Sequence, residues 1–224
     1  MPSDPSMAFA SMGNYIFSTD ALLSSLKEDA ASENSEHDMG GDIIPALTGR
    51  GSAFVYDFAD NDVPGQDEVE RGYWRDVGTI DAYHEASMDL VGVQPTFNFY
   101  NLTWPILTWN FPDPPAKFVH DEENRRGYAT DSIISNGTIV SGGVVRRSIL
   151  WPNVSIRSYS QVEDSVIFPG VTIRRRAVVR NAIVDEHVVV PEGYTIGVDP
   201  AADAERFTVS PEGVIVIGKG DVLE

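Results

Sequence analysis

From Ile133 onward, apolar residues alternate with small and turn-forming ones on a beat of six. One register runs Val144, Leu150, Ile156, Val162 and Phe168; a second runs Ile167, Ile173 and Val179; a third runs Val178, Val184, Val190 and Ile196. Between them lie Ser135-Asn136-Gly137, Ser141-Gly142-Gly143, Pro152-Asn153, Pro169-Gly170 and Pro191-Glu192-Gly193. An ordinary amphipathic strand has period two and does not explain punctuation every six residues. The pattern predicts a left-handed parallel β-helix of hexapeptide repeats, three sides to a coil, with Val, Ile and Leu stacked inside. Ile133 to Ile196 is enough for about three to four coils, and the register shifts predict imperfect ones. After it, a polar helical stretch from Ala201 and two strand-like runs, Phe207–Val209 and Val214–Ile217, are expected to close the end.

The front third reads as mixed α/β. Met12–Phe17 and Ser52–Phe58 are apolar and aromatic enough for strands. Ser18-Thr19-Asp20 offers caps to a helix carrying Leu22, Leu23 and Leu26. Ile43, Ile44 and Leu47 mark a short helix that Pro45 should limit or kink. Thr79 is a candidate N-cap for a helix whose face holds Ile80, Tyr83, Ser87 and Leu90. Gln94 to Pro115 interleaves five prolines with six aromatic residues. Prolines forbid a regular helix there while aromatics favour burial, so an extended, packed linker is expected. The expected organisation is a first domain over 1–97, a linker over 98–117 and a β-helix over 118–224.

Charge adds a second asymmetry. The 224 residues carry a net charge of −18, with 18 acids against 4 bases up to Asn98 and 16 against 12 from Phe99. Such a balance disfavours nucleic acid and anionic membranes as partners. Between Ile134 and Arg180 the sign reverses, with 7 arginines facing only Glu163 and Asp164. Cysteine is absent, which excludes disulfides, thiolate catalysis and Cys-ligated metals. Met1-Pro2-Ser3-Asp4-Pro5 has neither a basic region nor an apolar stretch, so a cytoplasmic protein is expected.

Three segments could carry chemistry. In Tyr73-Trp74-Arg75-Asp76-Val77-Gly78-Thr79, a carboxylate between an extended segment and a helix start suits Mg²⁺, a hard cation that takes few protein oxygens. Asp76 also fits a local ion pair or cap. Ser11 before Gly13 can meet a polyol closely, and Asp38 before a Gly-Gly turn can accept bonds from sugar hydroxyls. Each also fits a turn. His37, His84, His120 and His187 show no metal-ligand spacing, and no phosphate-binding glycine loop occurs in the sequence.

In combination these residues resemble a known family. Ala10-Ser11-Met12-Gly13-Asn14-Tyr15-Ile16-Phe17, His37-Asp38-Met39-Gly40-Gly41-Asp42-Ile43-Ile44-Pro45, Tyr73–Thr79 and Pro114-Pro115-Ala116-Lys117-Phe118-Val119 stand in the order found in bacterial glucose-1-phosphate adenylyltransferases, ahead of the same kind of solenoid. The resemblance implies a partial, Rossmann-like nucleotidyltransferase domain followed by the β-helix. It also implies ATP and glucose 1-phosphate as substrates, Mg²⁺, an allosteric homotetramer and a place in glycogen synthesis. Asp76 would be a metal ligand and catalytic residue, while Ser11, Gly13, Asp38 and Trp74 would line the sugar pocket. The family's G-G-x-G-x-R-L loop and Glu-Lys-Pro do not occur here, so the sequence looks like the C-terminal portion and is expected to be inactive alone.

The family responds to phosphorylated metabolites, which makes Arg146, Arg147, Arg174, Arg175, Arg176 and Arg180 a possible effector site. A solvated or subunit-contact face accounts for them too. Glu186 stands where some relatives carry an activator-binding lysine. Two other readings remain: a regulatory or assembly subunit, and a hexapeptide acyltransferase using His187.

Overall fold

The computed structural model describes residues 4–109 and 111–224, and among them no strand precedes Lys117. Two units are present, one ending at Asn61 and one beginning at Asp62. In the first unit, helix α1 (Thr19–Ala30) starts where Ser18 Oγ accepts the Ala21 amide. A π-turn (Met39–Ile43) runs into α2 (Ile44–Gly49). Pro45 lies in the first turn of α2, where no amide donor is needed, so it opens the helix instead of kinking it.

Met12–Phe17 and Ser52–Phe58 do not form the strands that their composition predicts. Both are without a ladder partner, with Ile16 101% and Phe54 92% exposed. A strand is a pairing, and β-propensity supplies no partner.

The second unit contains helix α3 (Ile80–Leu90), the proline-aromatic segment, the solenoid and helix α4 (Pro200–Arg206). The described residues of the proline-aromatic segment form no helix or strand. Its start is anchored, with Phe97 stacked on Tyr73 at 5.3 Å and Asn101 Nδ2 donating to Pro64 O. Beyond that, Tyr100, Leu102, Leu107 and Trp109 are exposed, contrary to the expected burial.

Three parallel walls build the solenoid. The first joins Lys117–Val119, Ile139–Ser141, Ser155–Ile156, Thr172–Ile173 and Val189–Val190. The second joins Tyr128–Thr130, Val144–Arg146, Gln161–Glu163, Val178–Arg180 and Thr195–Ile196. The third joins Ile133–Ile134, Ile149–Leu150, Val166–Ile167, Ala182–Val184 and Ile215–Ile217. Thr208–Val209 closes its edge in antiparallel register, as the tail predicts.

Successive partners Tyr128, Val144, Gln161, Val178 and Thr195 stand 16, 17, 17 and 17 residues apart, not 18. The buried core runs Leu150, Ile156, Val162, Ile167, Ile173, Val179, Val184, Val190 and Ile196. From Val162 to Ile167 and from Val179 to Val184 the step is five. That short step is the register shift. It falls at one corner, where Arg147, Asp164 and Asn181 take positive φ. There Ser148 Oγ accepts the Ser165 amide, and Ser165 Oγ accepts that of Ala182. These buried serines serve backbone donors at a tight bend. Three residues of the six-residue pattern are therefore misassigned. Val144 and Val178 lie in the outer register, and Phe168 sits past the third wall, stacked on Trp151 at 5.7 Å.

The third wall is apolar on both faces, which explains its adjacent pairs such as Val166-Ile167. Its outer face, Ile149, Val166, Ile183 and Val216, packs with Ile80, Tyr83 and Met88 of α3. His84 of the same helix is buried, and its Nε2 lies 2.8 Å from Asp164 O. Asp81 accepts from Ser210 Oγ. At the far end, buried Asp203 of α4 accepts the Gly197 amide and pairs with Arg206. Gly197 has φ +76, and a Cβ there would lie 2.0 Å from Arg180 O.

Candidate active site

Ser11, Gly13 and Asp38 all belong to the first unit, and a residue that the motif reading left without a role links them. Ser11 Oγ lies 2.8 Å from the Tyr15 hydroxyl and accepts the Gly13 amide at 3.2 Å. A Cβ on Gly40 would lie 3.4 Å from both that hydroxyl and Asp38 Oδ1. The Tyr15 hydroxyl and the Asp38 carboxylate thus approach the same glycine, with Ser11 bonded to that hydroxyl, a donor-acceptor set suited to a polyol. Tyr15, four residues after Ser11, is legible as an amphipathic side chain but not as a neighbour of the Asp38 turn.

Asp38 is itself held in a turn. Its Oδ1 accepts the Gly41 amide at 2.5 Å, and its own amide donates to Asp42 Oδ2 at 3.0 Å. Just before it, His37 takes φ 59, and its Nδ1 lies 2.8 Å from Asp29 Oδ2. Ser35 Oγ donates to the other Asp29 oxygen. These bonds, Ser35 first and then His37, hold the Asp29 carboxyl below its ordinary value. A lowered carboxylate stabilises above its unfolded pKa and loses that contribution as pH falls through the folded one. Amide protection at residues 35–41, taken relative to the intrinsic exchange rate at each pH, is therefore expected to fall on acidification below about pH 4. Asp29→Asn should remove that pH dependence; an unchanged acid response in the variant would assign it to another group.

Trp74 and Asp76 belong to the second unit. Trp74 is 44% exposed. Arg75 does not pair with Asp76; its guanidinium meets Glu85 of α3 at 3.2 Å. Asp76 Oδ1 accepts the Gly78 amide at 2.9 Å, and Thr79 Oγ1 then caps α3 through the Ala82 amide at 3.1 Å. Asp76 therefore neither pairs with Arg75 nor caps α3; one of its oxygens builds the turn that precedes the Thr79 cap. Oδ2 has no partner among the described residues. No group of three or more His, Asp or Glu among them could hold a metal ion. A single exposed carboxylate oxygen still fits Mg²⁺, which takes one or two carboxylates and otherwise keeps waters and phosphate oxygens.

The six arginines of the possible effector site do not act alike. Arg147 grips Asp164 through two bonds, Arg176 pairs with Glu192, and Arg180 pairs with Glu163. Arg146 instead donates to the Tyr128 hydroxyl at 3.0 Å. Glu186 is occupied by Lys219 at 2.6 Å. His187 lies exposed at a solenoid corner with φ 61, beside Gly170.

Two family models match this chain: a nucleotidyl transferase over residues 2–92 and a GlmU-like C-terminal hexapeptide region over 114–217. Among curated proteins, the glucose-1-phosphate adenylyltransferase of Parafrankia sp. is 56% identical over 98% of this chain and 54% of its own length. The chain belongs to the glucose-1-phosphate adenylyltransferase family. Proteins of the same name from Corynebacterium jeikeium and Bifidobacterium adolescentis are 54% and 51% identical over the whole of this chain. In each case the chain spans about half the length of the curated relatives it matches. Membership of the family brings a nucleotidyltransferase domain and a hexapeptide solenoid. No helix among the described residues is long and apolar enough to cross a membrane.

Proposed function

We propose that this chain supplies the sugar-binding and metal-holding part of a cytoplasmic enzyme that makes ADP-glucose for glycogen synthesis, acting as a homotetramer under a phosphorylated effector. ATP is held by a nucleotide-binding part whose G-G-x-G-x-R-L loop this sequence does not contain. In the reaction, a phosphate oxygen of glucose 1-phosphate attacks the α-phosphorus of ATP. The new O–P bond forms as the bond to the β-phosphate bridge breaks, giving ADP-glucose and pyrophosphate.

Ser11, Tyr15 and Asp38 orient the glucose hydroxyls, and Gly13 and Gly40 let the ring come close to the backbone. Trp74 offers an apolar face to the sugar. Asp76 would hold Mg²⁺ through Oδ2, and the ion, when bound, neutralises charge on the phosphates. The observation that carries this reading is the division of labour within Asp76: one oxygen builds the turn before α3 and the other is left for a ligand.

Mixing the chain with a separately made nucleotide-binding half of the Parafrankia relative tests the proposal, with ADP-glucose formation from ATP and glucose 1-phosphate as the readout. No product is expected from the chain alone, and Mg²⁺-dependent product from the mixture. No product from the mixture, while the intact relative is active, would count against it. A second reading is a regulatory or assembly subunit. That reading is supported if the chain changes the activity of an intact relative without contributing a working site.

A further inference from the structure

Among the described residues, Glu70 is the only buried glutamate, at 4% exposure. Its Oε1 accepts the Asn98 amide at 2.6 Å, while Oε2, also buried, has no partner among those residues. A carboxylate with one oxygen unmatched is costly to bury, so its place calls for a task that an apolar side chain could not do. The proposed reaction gives it none.

The chain around Glu70 is tied to it from several sides. Asp67 Oδ1 accepts the Val69 and Glu70 amides, both at 3.0 Å. Glu70 O accepts Gln66 Nε2 at 2.8 Å and the Tyr73 amide at 2.9 Å. Phe97, the neighbour of Asn98, stacks on Tyr73 at 5.3 Å. Asn101 Nδ2 donates to Pro64 O at 2.8 Å. The segments 64–73 and 97–101 are thus clamped together at Pro64–Asn101, Glu70–Asn98 and Tyr73–Phe97.

Trp74 follows directly after the clamp. Among the described residues it makes no hydrogen bond or ring contact of its own, and it is 44% exposed. On its other side, Arg75 meets Glu85 at 3.2 Å and Asp76 builds its own turn with Gly78. The Trp74 ring is therefore placed by the anchors on either side of it. We propose that Glu70 is a positioning residue: its bond to Asn98 keeps Phe97 against Tyr73 and so fixes the direction in which Trp74 presents its ring to the substrate. This rests on the reading of Trp74 as a wall of the sugar pocket. Asp76 is held by a separate turn, so opening the clamp disturbs the sugar and leaves the metal-holding carboxylate in place.

Fluorine NMR of the chain labelled with fluorotryptophan tests the clamp without any reaction. The sequence holds 4 tryptophans, few enough to assign the Trp74 line by its loss in Trp74→Phe. Glu70→Ala should shift or broaden that line while the Trp151 line, on the solenoid, stays where it is. Glu70→Gln should restore it, because a carboxamide oxygen still accepts the Asn98 amide. Phe97→Leu opens the same clamp from its other side and should move the line as well. Glu68→Ala, exposed in the same loop, should not.

In the chain mixed with the separately made nucleotide-binding half, Glu70→Ala should raise KM for glucose 1-phosphate about tenfold with kcat unchanged, the split expected when only substrate binding is weakened. A Trp74 line unmoved in both Glu70→Ala and Phe97→Leu, no recovery in Glu70→Gln, or a joint collapse of all the tryptophan lines would each overturn the proposal. A moved line with an unchanged KM would leave the clamp standing and overturn the sugar role of Trp74 instead.

Discussion

Asp76→Asn is expected to lower ADP-glucose formation by the reassembled enzyme about 10²–10³-fold in kcat, the range seen when one preorganised electrostatic contact to the reacting groups is removed. The substitution separates the two tasks of this side chain. A carboxamide oxygen still accepts the Gly78 amide, so the turn before α3 and the Thr79 cap should survive. The negative charge and the second acceptor are lost, and with them the hold on Mg²⁺. The thermal midpoint should therefore stay within a degree or two while activity collapses, and raised Mg²⁺ should recover little of it. Activity within a few fold of the unmodified enzyme would remove Asp76 from the metal site. A matching loss of folded protein would leave Asp76 as a turn-building residue alone.

Ile173→Ala should have the largest effect on stability. Ile173 is 0% exposed and stacks between Ile156 and Val190 of the adjacent coils. Removing three carbons from such a site costs about 2–5 kcal/mol, because lost burial adds to an unfilled cavity. For a unit of this size that lowers the midpoint by roughly 5–15 °C in a calorimetric scan. Ile139 sits on the outer face of the same wall and is 40% exposed. Ile139→Ala should cost under about 1 kcal/mol, because most of that surface already faces water. Equal losses in the two variants would show that the inward and outward faces are wrongly assigned.

Some of this protein was fixed by local sequence. Thr79 caps α3, Ser18 caps α1, and the closing strands after α4 lie where the pattern puts them. The six-residue beat identifies the solenoid, because each coil repeats the same demand for inward apolar residues and tight corners. The beat alone could not show that one corner is a residue shorter. Buried Ser148 and Ser165 decide that by bonding backbone between coils, and such contacts are far apart in sequence. It also could not show that one wall is buried on both faces, since that depends on α3, encoded some 50 residues earlier than the wall it covers.

The candidate site divides in the same way. Its motifs name Ser11, Asp38, Trp74 and Asp76, since chemistry is written in residue type. Tyr15 joins the first pair only because the π-turn brings Gly40 beneath its hydroxyl. Which Asp76 oxygen is free, and which arginines are unpaired, follows from hydrogen-bond partners and not from spacing. Met12–Phe17 and Ser52–Phe58 make the contrast plainest. Their sequence carries strand propensity, yet pairing needs a neighbouring strand, and that lies beyond anything a segment encodes in itself. Sequence determined the solenoid, the helix caps and the residue types of the site. Tertiary structure decided the corners, the covered wall and the state of each charge, because those depend on groups that only folding brings together.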